Sequence, residues 1–207
     1  MSTDSAPTTD GSADEALQRL VEGNERFMRG EGRSPFLGRR ALTDLVEGQQ
    51  PFATILGCSD SRVPPEIIFD ADFGDLFIVR VAGNIMSPEI MGTLQYAGSY
   101  LHTPLFVVLG HEHCGAVHAA LETKFHGREK RERVQSLLQM ILPGLAGVGP
   151  DLLPEEALQR AVEANVRWSM HQILETPEAQ ARVAEEEYKL VGAVYELASG
   201  RVRFLDS

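Results

Sequence analysis

The sequence is poor in cysteine: two in 207 residues, Cys58 and Cys114, each beside an aspartate or a histidine. With both in ligand-like settings, nothing is left for a structural disulfide, and a reducing, cytoplasmic location is expected. No apolar run approaches the ~20 residues needed to span a bilayer, so no membrane segment is expected. The opening MSTDSAPTTDGSADE has neither the basic nor the apolar region of a secretory leader. Positive charge is scarce too. Nineteen Lys and Arg stand against 30 Asp and Glu, a net charge of −11, which argues against nucleic acid and anionic membrane surfaces as partners. That balance does not restrict a small substrate, because a local site can differ in sign from the whole. What is present, 43% apolar and 24% charged residues, is ordinary for a soluble globular chain, and the length suits one domain with a sizeable core.

Residues 1–11, rich in Ser, Thr, Asp, Pro and Gly, are expected to be a disordered tail. Ser12 with Glu15 forms a capping-box pattern. Behind it Leu17, Leu20, Val21, Asn24, Phe27 and Met28 recur at helical spacing, which predicts an amphipathic helix over 12–29. A Gly-, Pro- and Arg-containing connection over 30–39 and a short helix over 40–47 complete an N-terminal helical arm, 12–48. From Pro51 the texture changes. Apolar runs at 52–56, 76–81 and 105–109 alternate with helical patterns at 64–70 and 88–101. Runs apolar on both faces, alternating with helices, predict an α/β fold with a mostly parallel central β-sheet flanked by helices. Further helices are expected over 116–121, over 129–142 with a stop at Pro143-Gly144, from Pro154 onward, and from Pro177 to 187. A strand over 188–195 then turns at Ala198-Ser199-Gly200 into a hairpin ending at Phe204. No internal repeat is visible, and 12–207 is taken as a single domain.

Two stretches carry chemistry. Cys58-Ser59-Asp60-Ser61-Arg62 follows the first apolar run, and His111-Glu112-His113-Cys114-Gly115 follows the third. In an open parallel sheet, ligands bind at the carboxyl ends of the strands, where both stretches fall. That placement can bring together groups 53 positions apart. His111 and Cys114 lie three apart, within reach of one ion from a turn or first helical turn. Two thiolates and an imidazole make a borderline-soft, zinc-type ligand set, and three protein ligands with a fourth position open is the catalytic zinc pattern. Thiolates of Cys58 and Cys114, neutral His111 and Zn²⁺ sum to zero charge. Two anionic ligands leave the metal a weaker Lewis acid than three imidazoles, so a nearby acceptor and cation are useful for placing a proton. Asp60 and Arg62 have that chemistry, and an Arg–carboxylate pair can be bidentate. Taken singly, each residue has a plainer reading: small core cysteines, a loop-capping aspartate, a surface arginine. Their joint order on strand ends outweighs it.

CxDxR followed some 50 residues later by HxxC is the signature of the β-class carbonic anhydrases. The chain resembles that family over roughly 15–205, through Cys58 to Arg62, the run DLFIVRVAGN at 75–84, and Gly110 to Ala116. The resemblance implies one zinc per chain on Cys58, His111 and Cys114, with an Asp60–Arg62 dyad orienting the zinc hydroxide. In a subset of the family the matching aspartate closes the site as a fourth ligand. The family's CO₂ pocket maps onto Gln49, Phe77 and Tyr96, with Gly115 beside Cys114 as a further substrate contact. Its fold carries the N-terminal arm around a partner subunit and places the active site at the dimer interface, implying a homodimer or dimer of dimers. Bicarbonate-gated members have Trp three residues before the first Cys. Here that position is Ile55, although Arg80 matches the arginine of that pocket, and the departure favours an open site.

The expected function is therefore zinc-dependent reversible hydration of carbon dioxide to bicarbonate and a proton through zinc-bound hydroxide. One rival is CS₂ or COS hydrolysis on the same fold, decided by channel shape. Another is a non-catalytic zinc-binding or bicarbonate-sensing protein, against which the intact Asp60–Arg62 pair stands. His113 is expected beside the ligands. His102, His118, His126 and His171 are expected to be ordinary surface or helix residues, Trp168 a core or interface residue, and Glu185-Glu186-Glu187 a solvated helix face.

Overall fold

The run Ala53–Gly57 is buried at every position, as a strand covered on both faces must be. The computed structural model describes residues 12–32, 45–184 and 188–206. In it Ala53–Gly57 (β1) lies between Leu76–Arg80 (β2) and Leu105–His111 (β3), parallel to both. β3 pairs in parallel with Lys189–Tyr195 (β4), and Val202–Phe204 (β5) closes the edge antiparallel to β4. The order β2-β1-β3-β4-β5 is the mostly parallel sheet expected from the alternating pattern. Side chains alternate across it. Leu56 and Val108 enter one core with Leu94, Val117 and Val166, while Ile55 and Val107 enter the other with Leu20 and Phe69.

Seven α-helices are described: Ala13–Met28 (α1), Pro65–Ile68 (α2), Pro88–Tyr100 (α3), Gly115–His126 (α4), Glu132–Ile141 (α5), Pro154–Leu174 (α6) and Pro177–Ala184 (α7). α6 crosses β3 closely because Gly110 has no side chain. A Cβ there would stand 2.6 Å from Val166 Cγ2 and 3.2 Å from Val162 Cγ1. Among the described residues no helix is long and apolar enough to cross a membrane.

Several expectations shift. α4 continues past residue 121 to His126, where Gly127 at φ 61° caps it. The stop at Pro143-Gly144 becomes a 3₁₀ turn, Leu142–Leu145, with Pro143 at its start, where the missing N–H costs nothing. Of the helix expected over 40–47, the described part is a 3₁₀ turn, Leu45–Glu47. The rest of it, the 1–11 tail and Glu185-Glu186-Glu187 lie outside the described residues.

α1 is fixed at its start and along its buried face. Its capping box forms as expected: Glu15 N–H donates to Ser12 Oγ at 3.2 Å and Ser12 N–H to Glu15 Oε2 at 2.6 Å. Along one face the helix docks on its own chain. Ala16 and Leu20 are buried in the core that holds Ile68 and Leu109. Buried Asn24 fastens it, donating through Nδ2 to the Ile68 carbonyl at 3.1 Å and the Gly200 carbonyl at 2.8 Å, and accepting from Val202 N–H at 2.8 Å. An apolar stripe shows that a helix needs cover, not whose surface supplies it.

Asn24→Ala strands buried main-chain groups of β5 and α2. It should lower stability by about 1–3 kcal/mol, read as a lower urea midpoint. An unchanged midpoint would show that this clamp contributes nothing to docking.

Candidate metal centre

The chain leaves β1 to form β2 on one side, then returns past β1 to form β3 on the other. The crevice at such a switch point opens between the carboxyl ends of the two diverging strands. Cys58 follows β1 directly, His111 ends β3, and Cys114 caps the start of α4. Gly57 is in register with Leu109, so the two strands deliver their next residues at the same level. One ligand atom from each of Cys58, His111 and Cys114 lies within 4.8 Å of the others, and all three residues are buried. The two sulfurs are 4.0 Å apart.

The donor set fits a metal. His111 Nδ1 is 2.8 Å from the carbonyl of Glu112, which fixes the ring as the Nδ1–H tautomer and leaves the Nε2 lone pair facing the sulfurs. Nε2 is buried without a hydrogen-bond partner among the described residues, an arrangement that costs free energy unless something binds there. The Cys58 thiol is pushed down to about 4. Its bond with Cys114 is the main cause, burial opposes it, and the adjoining His111 ring and the N–H groups of Gly83 and Asp60 lower it further. Cys114 is pushed up, because it shares its proton with Cys58 and is buried. Two neighbouring buried thiols do not both ionise readily without a cation between them. Cys114 at a helix N-terminus is nonetheless well placed to be a thiolate.

Asp60 is gripped by Arg62 in a fork. Nε donates to Oδ1 at 2.9 Å, Nη2 to Oδ2 at 2.8 Å, and the Arg62 main-chain N–H to Oδ1 at 3.0 Å. These bonds hold the Asp60 carboxyl well below the usual carboxylate range, so it stays ionised. Asp60 Oδ2 is 3.9 Å from His111 Nε2, beside the ligand face. Arg62 also reaches the His113 carbonyl at 3.4 Å. Arg80 does work the sequence did not announce. Its Nε donates to the Cys58 carbonyl at 2.9 Å and its Nη2 to the Asp60 carbonyl at 2.5 Å, pinning the main chain of the ligand loop. Ile55 is fully buried in the core.

The residues expected to line a substrate pocket are more scattered. Gly115 is the first residue of α4, exposed beside Cys114, and a Cβ there would meet nothing within 4 Å. Phe77 is in register with Thr54, four residues before Cys58, so it lies roughly 13 Å down the strand. Its ring is 6.1 Å from Tyr96, which stacks on Tyr100 at 5.2 Å. Tyr96 is 46% exposed and Tyr100 74%. The structure thus joins Phe77 to Tyr96 in a surface aromatic cluster away from the thiols of its own chain. Gln49 is exposed between the 45–47 turn and β1. Trp168 is structural: half-buried, packed on Gly144, with Nε1 donating to the Met140 carbonyl at 3.0 Å.

The sequence reading missed the opposite wall. Gly83 N–H donates to Cys58 Sγ at 3.3 Å from the 3₁₀ turn Ala82–Asn84. Asn165 Nδ2 donates to the Gly83 carbonyl, and Ser169 Oγ to the Asn84 carbonyl, both at 2.8 Å. A signal was available, since Asn165 and Ser169 interrupt the apolar stripe of α6 at helical spacing from Val162, Val166 and Ile173.

Comparison with known proteins gives a consistent picture. The family described as carbonic anhydrase matches residues 53–202. Carbonic anhydrase 2 of Mycobacterium tuberculosis is 38% identical over 193 residues, covering 92% of each chain. The solved β-carbonic anhydrase CcaA superposes with a TM-score of 0.76 at 29% identity, covering 92% of this chain and 95% of its own. The β-carbonic anhydrase CafA of Aspergillus fumigatus superposes at 0.73 with 26% identity, covering 93% and 90%.

The purified protein should carry about one divalent metal ion per chain, and Cys58→Ser and His111→Ala should each lose it. Elemental analysis showing full occupancy in both variants would refute the ligand assignment.

Proposed function

The chain belongs to the carbonic anhydrase family, in its β class, and on that premise we propose that it catalyses the reversible hydration of carbon dioxide to bicarbonate and a proton with one zinc ion per chain. The observation that carries this reading is the unpartnered Nε2 of buried His111, turned toward two buried thiols with an ionised carboxylate 3.9 Å away.

Cys58, His111 and Cys114 are the residues that would hold the zinc. Bound there, it would supply a water acidic enough to lose its proton near neutral pH, a property established for zinc in a carbonic anhydrase of the unrelated three-histidine type. Asp60, with Oδ2 beside the ligand face, would accept a hydrogen bond from the attacking group and set its direction. Arg62 holds Asp60 in its fork and would so keep it off the metal, leaving the site open. Arg80 keeps the loop that carries Cys58 and Asp60 from rotating both out of place. The exposed Tyr96 and Tyr100 rings and the half-buried Phe77 ring suit burial against a second copy. In a homodimer or dimer of dimers they would line that copy's pocket, with Gln49, where an apolar substrate needs apolar walls. The span 12–207 acts as one domain, and two unbridged buried cysteines suit a reducing, cytoplasmic compartment.

Stopped-flow measurement on metal-quantified protein should show CO₂ hydration that rises with pH. Arg62→Ala should keep its zinc and lose about 10–100-fold in kcat, because Asp60 is freed to close on the metal, and Asp60→Asn should lose activity on a similar scale. Wild-type protein with one zinc per chain that hydrates CO₂ no faster than metal-free Cys58→Ser would sink the proposal.

A further inference from the structure

α6 contributes no ligand and no proton carrier, yet two of its polar side chains hold the wall of the metal pocket. Asn165 is 1% exposed and Ser169 0%. Both stand on the face that packs with Val162 and Val166, where a polar group is unfavourable unless it is paired. Each has one strong partner, the carbonyl of Gly83 and the carbonyl of Asn84 respectively. Asn165 Oδ1 is buried with no hydrogen-bond partner among the described residues, so there the amide does not complete a saturated network.

What these bonds hold is unusual backbone. Gly83 at φ 70° and Asn84 at φ 42° are consecutive left-handed residues. Asn84 is itself buried, with Nδ2 3.5 Å from Ser169 Oγ and its N–H donated to the Val81 carbonyl at 3.0 Å. Gly83 is wedged: a Cβ would stand 2.8 Å from Ile141 Cδ1 and 3.0 Å from Ala116 Cβ. A turn held at its carbonyls by α6 and closed in by α4 and α5 has one product on the metal side, the Gly83 N–H at 3.3 Å from Cys58 Sγ.

An N–H donated to a thiolate ligand draws charge off the sulfur and weakens it as a donor, so the metal retains more Lewis acidity. That matters in a set with two thiolates, each of which lowers that acidity. We propose that Asn165 and Ser169 are positioning residues that hold the Gly83–Asn84 turn so that the Gly83 main-chain N–H donates to the Cys58 thiolate, and that they thereby set how acidic the metal centre is. The proposal rests on the reading of Cys58, His111 and Cys114 as zinc ligands.

Wild type, Asn165→Ala and Ser169→Ala would be compared as cobalt(II)-substituted and as zinc-loaded full-length proteins. Wild type should show the near-ultraviolet sulfur-to-cobalt charge-transfer band. In both variants, still carrying one metal per chain, the band should move to longer wavelength. The metal should be held more tightly against a competing chelator at a pH where the thiols are ionised, because the Cys58 sulfur is then the stronger donor, and the pH profile of CO₂ hydration should move to higher pH. A lower melting temperature with band, affinity and profile all at wild-type values would mean that the two residues only stabilise the fold, and would overturn the proposal. Should Asn165→Ala fail to fold, Ser169→Ala makes the same comparison. A wild-type cobalt protein without the band would overturn the ligand assignment, and this proposal with it. A normal wild-type band with unmoved variants defeats this proposal alone.

Discussion

Everything chemical in this chain depends on the register between β1 and β3. Gly57 opposite Leu109 ends the two strands at one level, so the residues that leave them meet across the switch point. A slip of one residue would send every side chain to the other face. Leu56 and Val108 would leave their core, and Cys58 would turn away from His111. Burial enforces the register, because every residue of Ala53–Gly57 and Leu105–His111 is buried. The hydroxyls of Thr54 and Thr103, buried and 2.8 Å apart, add a polar pin. The same economy of space brings α6 down onto Gly110, close enough for Asn165 and Ser169 to reach the turn after β2.

Local charge runs against the global sign. The chain is strongly acidic, yet two guanidiniums converge on the segment that carries Cys58 and Asp60, and they do different things. Arg62 binds a side chain and fixes where the Asp60 charge sits. Arg80 binds two carbonyls and fixes the path of the backbone. Pairs such as Arg29–Glu31 or Arg160–Glu156 are exposed on both sides and contribute little by comparison. What distinguishes the site is the number of bonds each charge makes to one short loop.

How much of this was legible in the sequence depended on whether a task demands a residue type. Metal ligation does: thiols and an imidazole at strand ends could be seen, and so could the acid and base that suit them. A mostly parallel sheet and the placement of its helices followed from alternating apolar runs, and the cap of α1 from Ser12 and Glu15. Docking partners were not legible. The clamp of Asn24 involves Gly200 and Val202, more than 170 positions away, through main-chain atoms that any residue there would supply. The extension of β3 to His111 comes from pairing of Gly110 with Val194 and His111 with Tyr195, not from an apolar pattern. Phe77 and Tyr96 could be matched to a family position, but their distance from the thiols of their own chain is a property of strand register. Asn165 and Ser169 could be noticed as polar interruptions of a buried stripe, but their acceptors are carbonyls and carry no signature.

The two groups that orient a sulfur and an imidazole here, the N–H of Gly83 and the carbonyl of Glu112, belong to the main chain. No exchange of side chain at 112 removes the second, and at 83 only proline removes the first. Side-chain exchange at 112 therefore leaves its contact in place, whereas any side chain at 83 would meet Ile141 and Ala116 and move the turn. The side chains that hold the Gly83–Asn84 turn come from a helix more than 80 positions further along the chain, so with Asn165 and Ser169 in the proposed role variation in the centre would have its route there. The catalytic character of such a protein can drift while every ligand stays in place.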